Sequence, residues 1–233
     1  MLPSRSLPPS RMRAAVIIPT LDEEGPLSDL LPTLDEADEV WVSDGGSRDG
    51  TATVASASGA RWIRGTPGRG AQLRRAAARC TADVLVFVHA DTRLPAGSLA
   101  RIREAVAAGA VGGGFLLRFD RDLPWLRLGA KLINLRSRWS ECPLGDQAQF
   151  VRRDVYERLG GFRPWPILED LDLARRLKRE GRVALLTPPV TTSARRFVRQ
   201  GPTRTVATNW AIWALYFLGV SPLQLARLYG KIR

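Results

Sequence analysis

From Ala14 onward the chain alternates short apolar runs, "AAVIIP", "EVWVS", "ARWIR" and "DVLVFVHAD", with segments able to form helices. No other feature restricts the fold as much. This rhythm argues for an α/β architecture: a mostly parallel sheet covered by helices on both faces. Helices are expected at 26–36, 50–58 and 69–80, with Asp49 placed to cap the second. After Asp91 the rhythm changes. A helix at 95–108, the strand "VGGGFLLRF" and a long stretch reaching "GDQAQFVRR" predict a second half that is mixed rather than parallel.

A chain of 233 residues with 45% hydrophobic and 25% charged residues can bury one substantial core. The expected organisation is a disordered tail at 1–13, rich in Pro, Ser and Arg, then one domain at 14–200 and an aromatic helical segment at 201–233. Met12 is a second candidate for the start. Cys80 and Cys142 lie far apart, with no CxxC and no histidine at metal spacing, which argues against a disulfide framework or a zinc site and for a cytoplasmic protein. The net charge of +12, almost all arginine, suits phosphate groups, anionic lipid or nucleic acid. No RNA-binding motif is visible, so nucleic acid is not an expected partner.

Two segments bear on partners. Trp125, Leu128, Leu132, Leu135 and Trp139 fall on one helical face, with Arg127, Lys131, Asn134 and Arg138 on the opposite one. Docking of the apolar face on the core is the expectation, and contact with an anionic membrane surface the alternative. Residues 205–226 carry no charge, yet their apolar run falls short of the roughly 20 residues a spanning helix needs. A helix packed on the domain, in a homodimer, or in the interface at the inner face of the plasma membrane would each suit its tryptophans and flanking arginines.

Polar residues gather where strands end or helices open. "IIPTLDEEG" brings Pro19, Thr20 and Glu23 after the first strand, and Asp44 ends the second before a Gly-Gly turn. His89 and Asp91 end "VFVHADTRLP", and Glu169 and Asp170 follow a Pro-Trp-Pro loop that fixes a helix entrance. Each has an ordinary alternative in turn or capping chemistry. Carboxylates at the carboxyl ends of parallel strands also point into the crevice where open α/β sheets bind ligands, and a rigid helix entrance suits a positioned general base.

In order and spacing, "IIPTLDEE", "WVSDGGSRDGT", "FVHADTRLP", "GDQ" and "LEDLDLARRL" resemble glycosyltransferase family 2, inverting enzymes of the GT-A fold, over residues 14 to about 200. "HADTRLP" and "SARRF" look most similar to the radical-SAM/selenodomain-associated transferases of that family. The resemblance implies a nucleotide-sugar donor, with UDP favoured by family habit, an acceptor that is lipid-linked or a small molecule, and Mg²⁺ or Mn²⁺. It implies that Asp44 contacts the nucleoside, Asp91 holds the metal on the diphosphate, and Asp170, next to Glu169, is the catalytic base. Arg195 and Arg196 are candidates for holding the diphosphate, and Gly145, Asp146 and Gln147 resemble the acceptor-side loop. Two departures stand out: His89 replaces the first acid of the metal motif, and Gly45 stands where many relatives carry a second acid.

Two other classes compete. Nucleotidyl transfer calls for a Gly-rich loop with a lysine or arginine after the first strand, where this chain is acidic. "GTPGRGAQ" lacks the ending of a P-loop, although Arg69 and Gln72 within it are expected near the nucleotide. A non-catalytic basic module for RNA or membrane would need neither Asp91 nor Asp170.

Overall fold

The computed structural model of the protein describes residues 12–232. Its strands are β1 Ala14–Thr20, β2 Glu39–Asp44, β3 Arg61–Arg64, β4 Val84–Phe87, β5 Thr92–Arg93, β6 Gly112–Phe119, β7 Phe150–Arg152 and β8 Val183–Thr192. Its helices are α1 Glu24–Leu30, α2 Thr51–Ala57, α3 Arg69–Ala77, α4 Ser98–Ala107, α5 Pro124–Ser140, α6 Arg153–Arg158, α7 Glu169–Leu177, α8 Arg195–Gln200, α9 Pro202–Phe217 and α10 Pro222–Ile232. One sheet runs in the order β3-β2-β1-β4-β7-β6-β8-β5. Neighbours from β3 to β4 are parallel, β7 is antiparallel to both β4 and β6, and β8 is parallel to β6 and antiparallel to β5. The expected change from a parallel to a mixed half is therefore found.

The central strands bury both faces because both are covered. Val16 and Ile18 of β1 and Val84 and Val86 of β4 pack with Leu27 and Leu30 of α1 and Leu99 and Ile102 of α4. Their neighbours Ala15, Ile17, Leu85 and Phe87 pack on the other side with Leu73 and Ala76 of α3, Val155 of α6 and Leu173 of α7. Period-two side chains thus feed two hydrophobic layers, and the runs read as continuously apolar.

Several boundaries differ from the sequence reading for local reasons. Residues 1–11 of the expected tail lie outside the described residues, but Met12 is buried in the core and the Arg13 guanidinium bonds buried Glu39 at 3.1 Å. The fold therefore takes in the last two residues assigned to the tail. Asp49 does not sit at the cap position, which Gly50 occupies. Its carboxylate instead accepts the Thr51 N–H at 3.0 Å and the Glu24 N–H at 3.1 Å, joining the openings of α1 and α2.

The phase of α5 is the main correction. Leu126, Ala130 and Ser137 face inward, while Leu128, Leu132, Leu135 and Trp139 are exposed. Asn134 decides this. β7 pairs with β6 only at Gly112 and Gly113, and farther along β6 the Asn134 amide bonds both the N–H and the C=O of Leu117 at 2.9 Å. Satisfying two backbone groups inside the protein outweighs burial of the apolar stripe.

At Gly112-Gly113-Gly114 the β6 backbone lies so close to its neighbours that side chains are excluded. A Cβ on Gly113 would lie 2.0 Å from the Ala184 carbonyl oxygen and 2.8 Å from the Phe150 ring. Gly113→Ala is expected to lower unfolding free energy by roughly 3 kcal/mol or more, measured by urea denaturation. A loss under about 1 kcal/mol would mean that β6 and β8 slide apart freely.

Candidate active site

β1 and β2 end together, with Thr20 in register with Asp44, and β4 ends beside them at Phe87. The carboxyl edge of these parallel strands is braced from within. The buried Gln72 amide donates to the Thr20 and Ser43 carbonyls at 2.7 and 2.8 Å and accepts from the Gly68 N–H at 3.2 Å. Asp44, 1% exposed, accepts from the Gly46 and Ser47 N–H groups at 3.2 and 3.0 Å and from the Ser47 hydroxyl at 2.6 Å. It thereby folds the Gly-Gly turn back on its own strand. Gly45 packs closely there: a Cβ would lie 3.2 Å from both Gln72 and Pro67, so a side chain would require these neighbours to give by a few tenths of an ångström. Pro19 and Thr20 form the last pairs of β1, and the Thr20 hydroxyl is buried with no partner among the described residues.

Beyond this edge two carboxylates converge on one cation. Arg195 at the start of α8 pairs with Glu23 and lies 3.6 Å from Asp91. Burial raises the Asp91 carboxyl above the ordinary carboxylate range; Arg195 works against that rise and Glu23 adds to it. One Glu23 oxygen is buried without a hydrogen bond among the described residues. Asp120 holds the approach to α8 by accepting the Ala194 N–H at 2.8 Å. Arg196 donates instead to Asn209 of α9 at 3.3 Å. No group of three metal-type side chains occurs among the described residues. Hard oxygens from Asp91 and Glu23 around a position that already attracts a cation nevertheless suit Mg²⁺ or Mn²⁺, which keep waters and phosphate oxygens as their other ligands.

The second carboxylate group surrounds the entrance to α7. Leu168, just before the helix, has φ of 62° and is buried, so packing over-determines a strained backbone. Asp170 follows, with one oxygen accepting the Gly145 N–H at 2.9 Å and the other its neighbour's N–H, from Leu171, at 2.8 Å. Burial would raise its pKa, but Arg69 and these two N–H groups outweigh burial and hold it below the usual range. Glu169 is fully buried and pairs with Arg69; burial raises its carboxyl while Arg69 opposes the rise. Gly70 allows this meeting of α3 and α7, since a Cβ there would lie 2.5 Å from the Arg163 carbonyl oxygen.

His89 joins this second group rather than the first. A Cβ on Gly145 would lie 2.9 Å from His89 Nε2 and 3.1 Å from an Asp170 oxygen, so only glycine fits between imidazole and carboxylate. Burial, then the charge of Arg69, lowers His89 to about 3 against the pull of Asp170. Its neighbour in the tripeptide turn, Asp146, has one buried oxygen with no partner among the described residues, and burial raises its pKa against Arg136. Gln147 is fully used inside the protein: it accepts from Arg136, Ser137 and the Leu144 N–H and donates to the Phe115 carbonyl. It holds the turn that carries Gly145.

The structure therefore divides the sequence candidates into two sets. Glu23, Asp91 and Arg195 form one, and Arg69, His89, Gly145, Asp146, Glu169 and Asp170 the other, with Gln72 and Gln147 as braces. Sequence reasoning missed Asp120, Arg136 and Gln149. Gln149 bonds the Pro143 and Asp170 carbonyls at 2.6 and 3.1 Å. A glutamine two residues after "GDQ" was the only available signal.

His89 is the only histidine, so its protonation can be followed alone. As pH falls through 6.5 the unfolded chain takes up this proton, but the folded protein does not until about 3, so stability falls with pH across that window. From pH 6.5 to 5 the expected loss is about 2 kcal/mol in urea titrations, and it should vanish in His89→Asn. An equal loss in the variant would assign it to other groups.

Comparison with known proteins bears on the family and the fold. A family model described as Glycosyl transferase family 2 matches residues 15–163. An uncharacterized glycosyltransferase of Mycobacterium tuberculosis is 30% identical over 152 residues, covering 62% of this chain and 70% of that protein. Among solved structures, glucosyl-3-phosphoglycerate synthase from M. tuberculosis, in complex with Mn²⁺, uridine-diphosphate and glucosyl-3-phosphoglycerate, superposes with a TM-score of 0.55 at 22% identity, over 79% of this chain and 71% of that one. A mannosyltransferase from Pyrobaculum calidifontis in complex with GDP-Man and Mn²⁺ superposes with a TM-score of 0.58 at 22% identity, over 81% of this chain and 59% of that one. The fold is thus the GT-A type, a mixed sheet flanked by helices. On the family match over most of its length, together with the relative's identity, the chain belongs to glycosyl transferase family 2 and is a glycosyltransferase.

Proposed function

We propose that the protein is an inverting transferase that moves a sugar from a nucleoside diphosphate donor, a UDP-sugar first among them, to an acceptor hydroxyl. The observation that carries this reading is the presence of two unlike carboxylate groups flanking His89-Ala90-Asp91. One already holds a cation; the other holds the Asp170 carboxyl below the usual carboxylate range.

The donor diphosphate belongs on the Arg195 side. Asp91 and Glu23 would hold a divalent cation there, whose chemistry is to neutralise charge on the departing diphosphate. The nucleotide complexes of the two solved relatives, both with Mn²⁺, support this. Arg195 exchanges its carboxylate partners for phosphate oxygens, and the nucleoside lies against Thr20 and Asp44.

Asp170 accepts the proton of the acceptor hydroxyl. Its low pKa keeps it ionised at neutral pH and makes it a weak base, so the proton moves late, as the attacking oxygen becomes acidic in forming its bond to the anomeric carbon. The bond to the diphosphate breaks on the other face of that carbon and its electron pair leaves with the diphosphate, which inverts the centre. Neutral His89 presents a nitrogen beside the base without repelling Arg69. We extend the proposal to the radical-SAM/selenodomain-associated subgroup, on "HADTRLP" and "SARRF", to a transferase domain spanning 12–200 with an appended aromatic segment, and to a cytoplasmic location.

Two measurements test this reading. At 100 times the dissociation constant, UDP with Mn²⁺ should stabilise the protein by about 2.7 kcal/mol, a rise in melting temperature of roughly 5 to 10 °C over Mn²⁺ alone. GDP, CDP and ADP serve as controls, and no rise with any of them would remove the donor site. Asp170→Asn should lower turnover about 10³-fold while keeping the nucleotide-dependent rise; unchanged turnover would sink the base assignment.

A further inference from the structure

α5 turns its apolar stripe to the solvent. Leu128, Leu132 and Leu135 are exposed and Trp139 is 88% exposed, and their spacing places them within one narrow arc of the helix. Arg127, Lys131 and Arg138 are exposed as well; rather than lying opposite the stripe as expected, they border that arc along one side, because the opposite side holds Leu126 and Ala130. Arg127 pairs with Asp122 at 3.2 Å. The opposite side of the helix is already committed to the core through Leu126, Ala130 and Asn134, so the stripe cannot turn inward.

α9 shows the same division. Ile212 packs with Leu168 and Leu171 under the helix, while Val206, Trp210 and Phe217 are exposed, Trp210 at 71%, and Leu218 just beyond it at 81%. The two helices meet at the edges of their stripes, where Arg136 of α5 lies over the Trp213 ring at 5.2 Å. Arg175 stacks on Phe217 at 5.3 Å in the same region. An apolar surface this extended, edged by cations, marks an interaction site.

We propose that the outer faces of α5 and α9 form a docking surface for an anionic lipid bilayer. Charge complementarity selects this occupant. Two copies meeting on this face would set Arg127, Lys131 and Arg138 against the same residues, whereas anionic headgroups attract them. Tryptophans and basic residues beside an apolar stripe suit the headgroup boundary, and a helix of 17 residues lies flat along it. No described helix is long and apolar enough to cross a membrane, so docking would be peripheral.

The inward side of α5 is tied to the base through one turn. Arg136 and Ser137 of α5 both bond Gln147, in the turn whose Gly145 holds Asp170. The docking does not depend on the proposed transfer reaction.

The test is co-sedimentation of the full chain, without donor, with vesicles of phosphatidylcholine alone or mixed with phosphatidylglycerol, at low and high salt. Binding is expected to the mixed vesicles and to persist in part at high salt. The variants Leu132→Ser/Leu135→Ser/Trp139→Ser and Trp210→Ser/Leu218→Ser should each bind about tenfold or more weaker with an unchanged thermal melt. Three outcomes would overturn the proposal: no binding to either vesicle, equal binding by the variants, which would assign attraction to net charge alone, or a wild-type dimer in light scattering that the variants break. Since no nucleotide is present, none of these outcomes depends on the donor site.

Discussion

Glu169 has no contact with water, and Arg69 is its ion-pair partner. A buried carboxylate without a partner would protonate or disrupt its surroundings, so the arrangement stands only while α3 and α7 remain in contact. Gly70 makes that contact close enough, and the strained backbone at Leu168 directs the first turn of α7 toward it. The same guanidinium acts on the two groups nearest the proposed chemistry: it holds the Asp170 carboxyl low against burial, and it adds to burial in lowering His89. One cation thus organises three titratable neighbours, and its position depends on the packing of two helices that lie 100 residues apart along the chain.

The other half of the site relies on a different long-range closure. Glu23 and Asp91 sit after β1 and β4, and Arg195 arrives from the far end of the domain after β8. Asp120, at the end of β6, fixes where that arrival occurs. Like charges kept close in a partly buried place need a cation, and here the Arg195 side chain supplies it. On the proposed reaction, a phosphate-bearing donor would offer Arg195 an alternative partner and would leave the acids to a metal. Donor binding and metal binding are then expected to reinforce one another.

Much of this was legible in the residues. Alternation of apolar runs with helical segments identified β1 to β4 and their order of appearance, because burial on both faces leaves a compositional mark on each strand separately. Carboxylates at strand ends, at Asp44 and Asp91, and at the opening of α7 stood out because turn and cap positions are local. The partition of those acids into two groups was not legible. His89 and Asp91 are two residues apart, yet one faces Asp170 and the other Arg195, and only the placement of Gly145 reveals it. The interior duties of Gln72, Gln147 and Gln149 were equally hidden, since their partners are backbone carbonyls tens of residues away.

α5 shows the boundary between the two kinds of information. Its periodicity correctly predicted a helix and its apolar stripe, because side-chain spacing on a helix is a property of the helix itself. The expectation that this stripe docks on the core was wrong. Which side faces the protein was decided by Asn134, whose amide meets the backbone of Leu117 on β6 where β7 no longer pairs with it. The sequence by itself determined the elements, their amphipathicity and the chemistry available at their ends, all of which depend on neighbours within a few residues. Tertiary structure alone decided which polar groups meet and which apolar faces remain outside, because the need to satisfy buried hydrogen-bonding groups is settled only when distant segments come together.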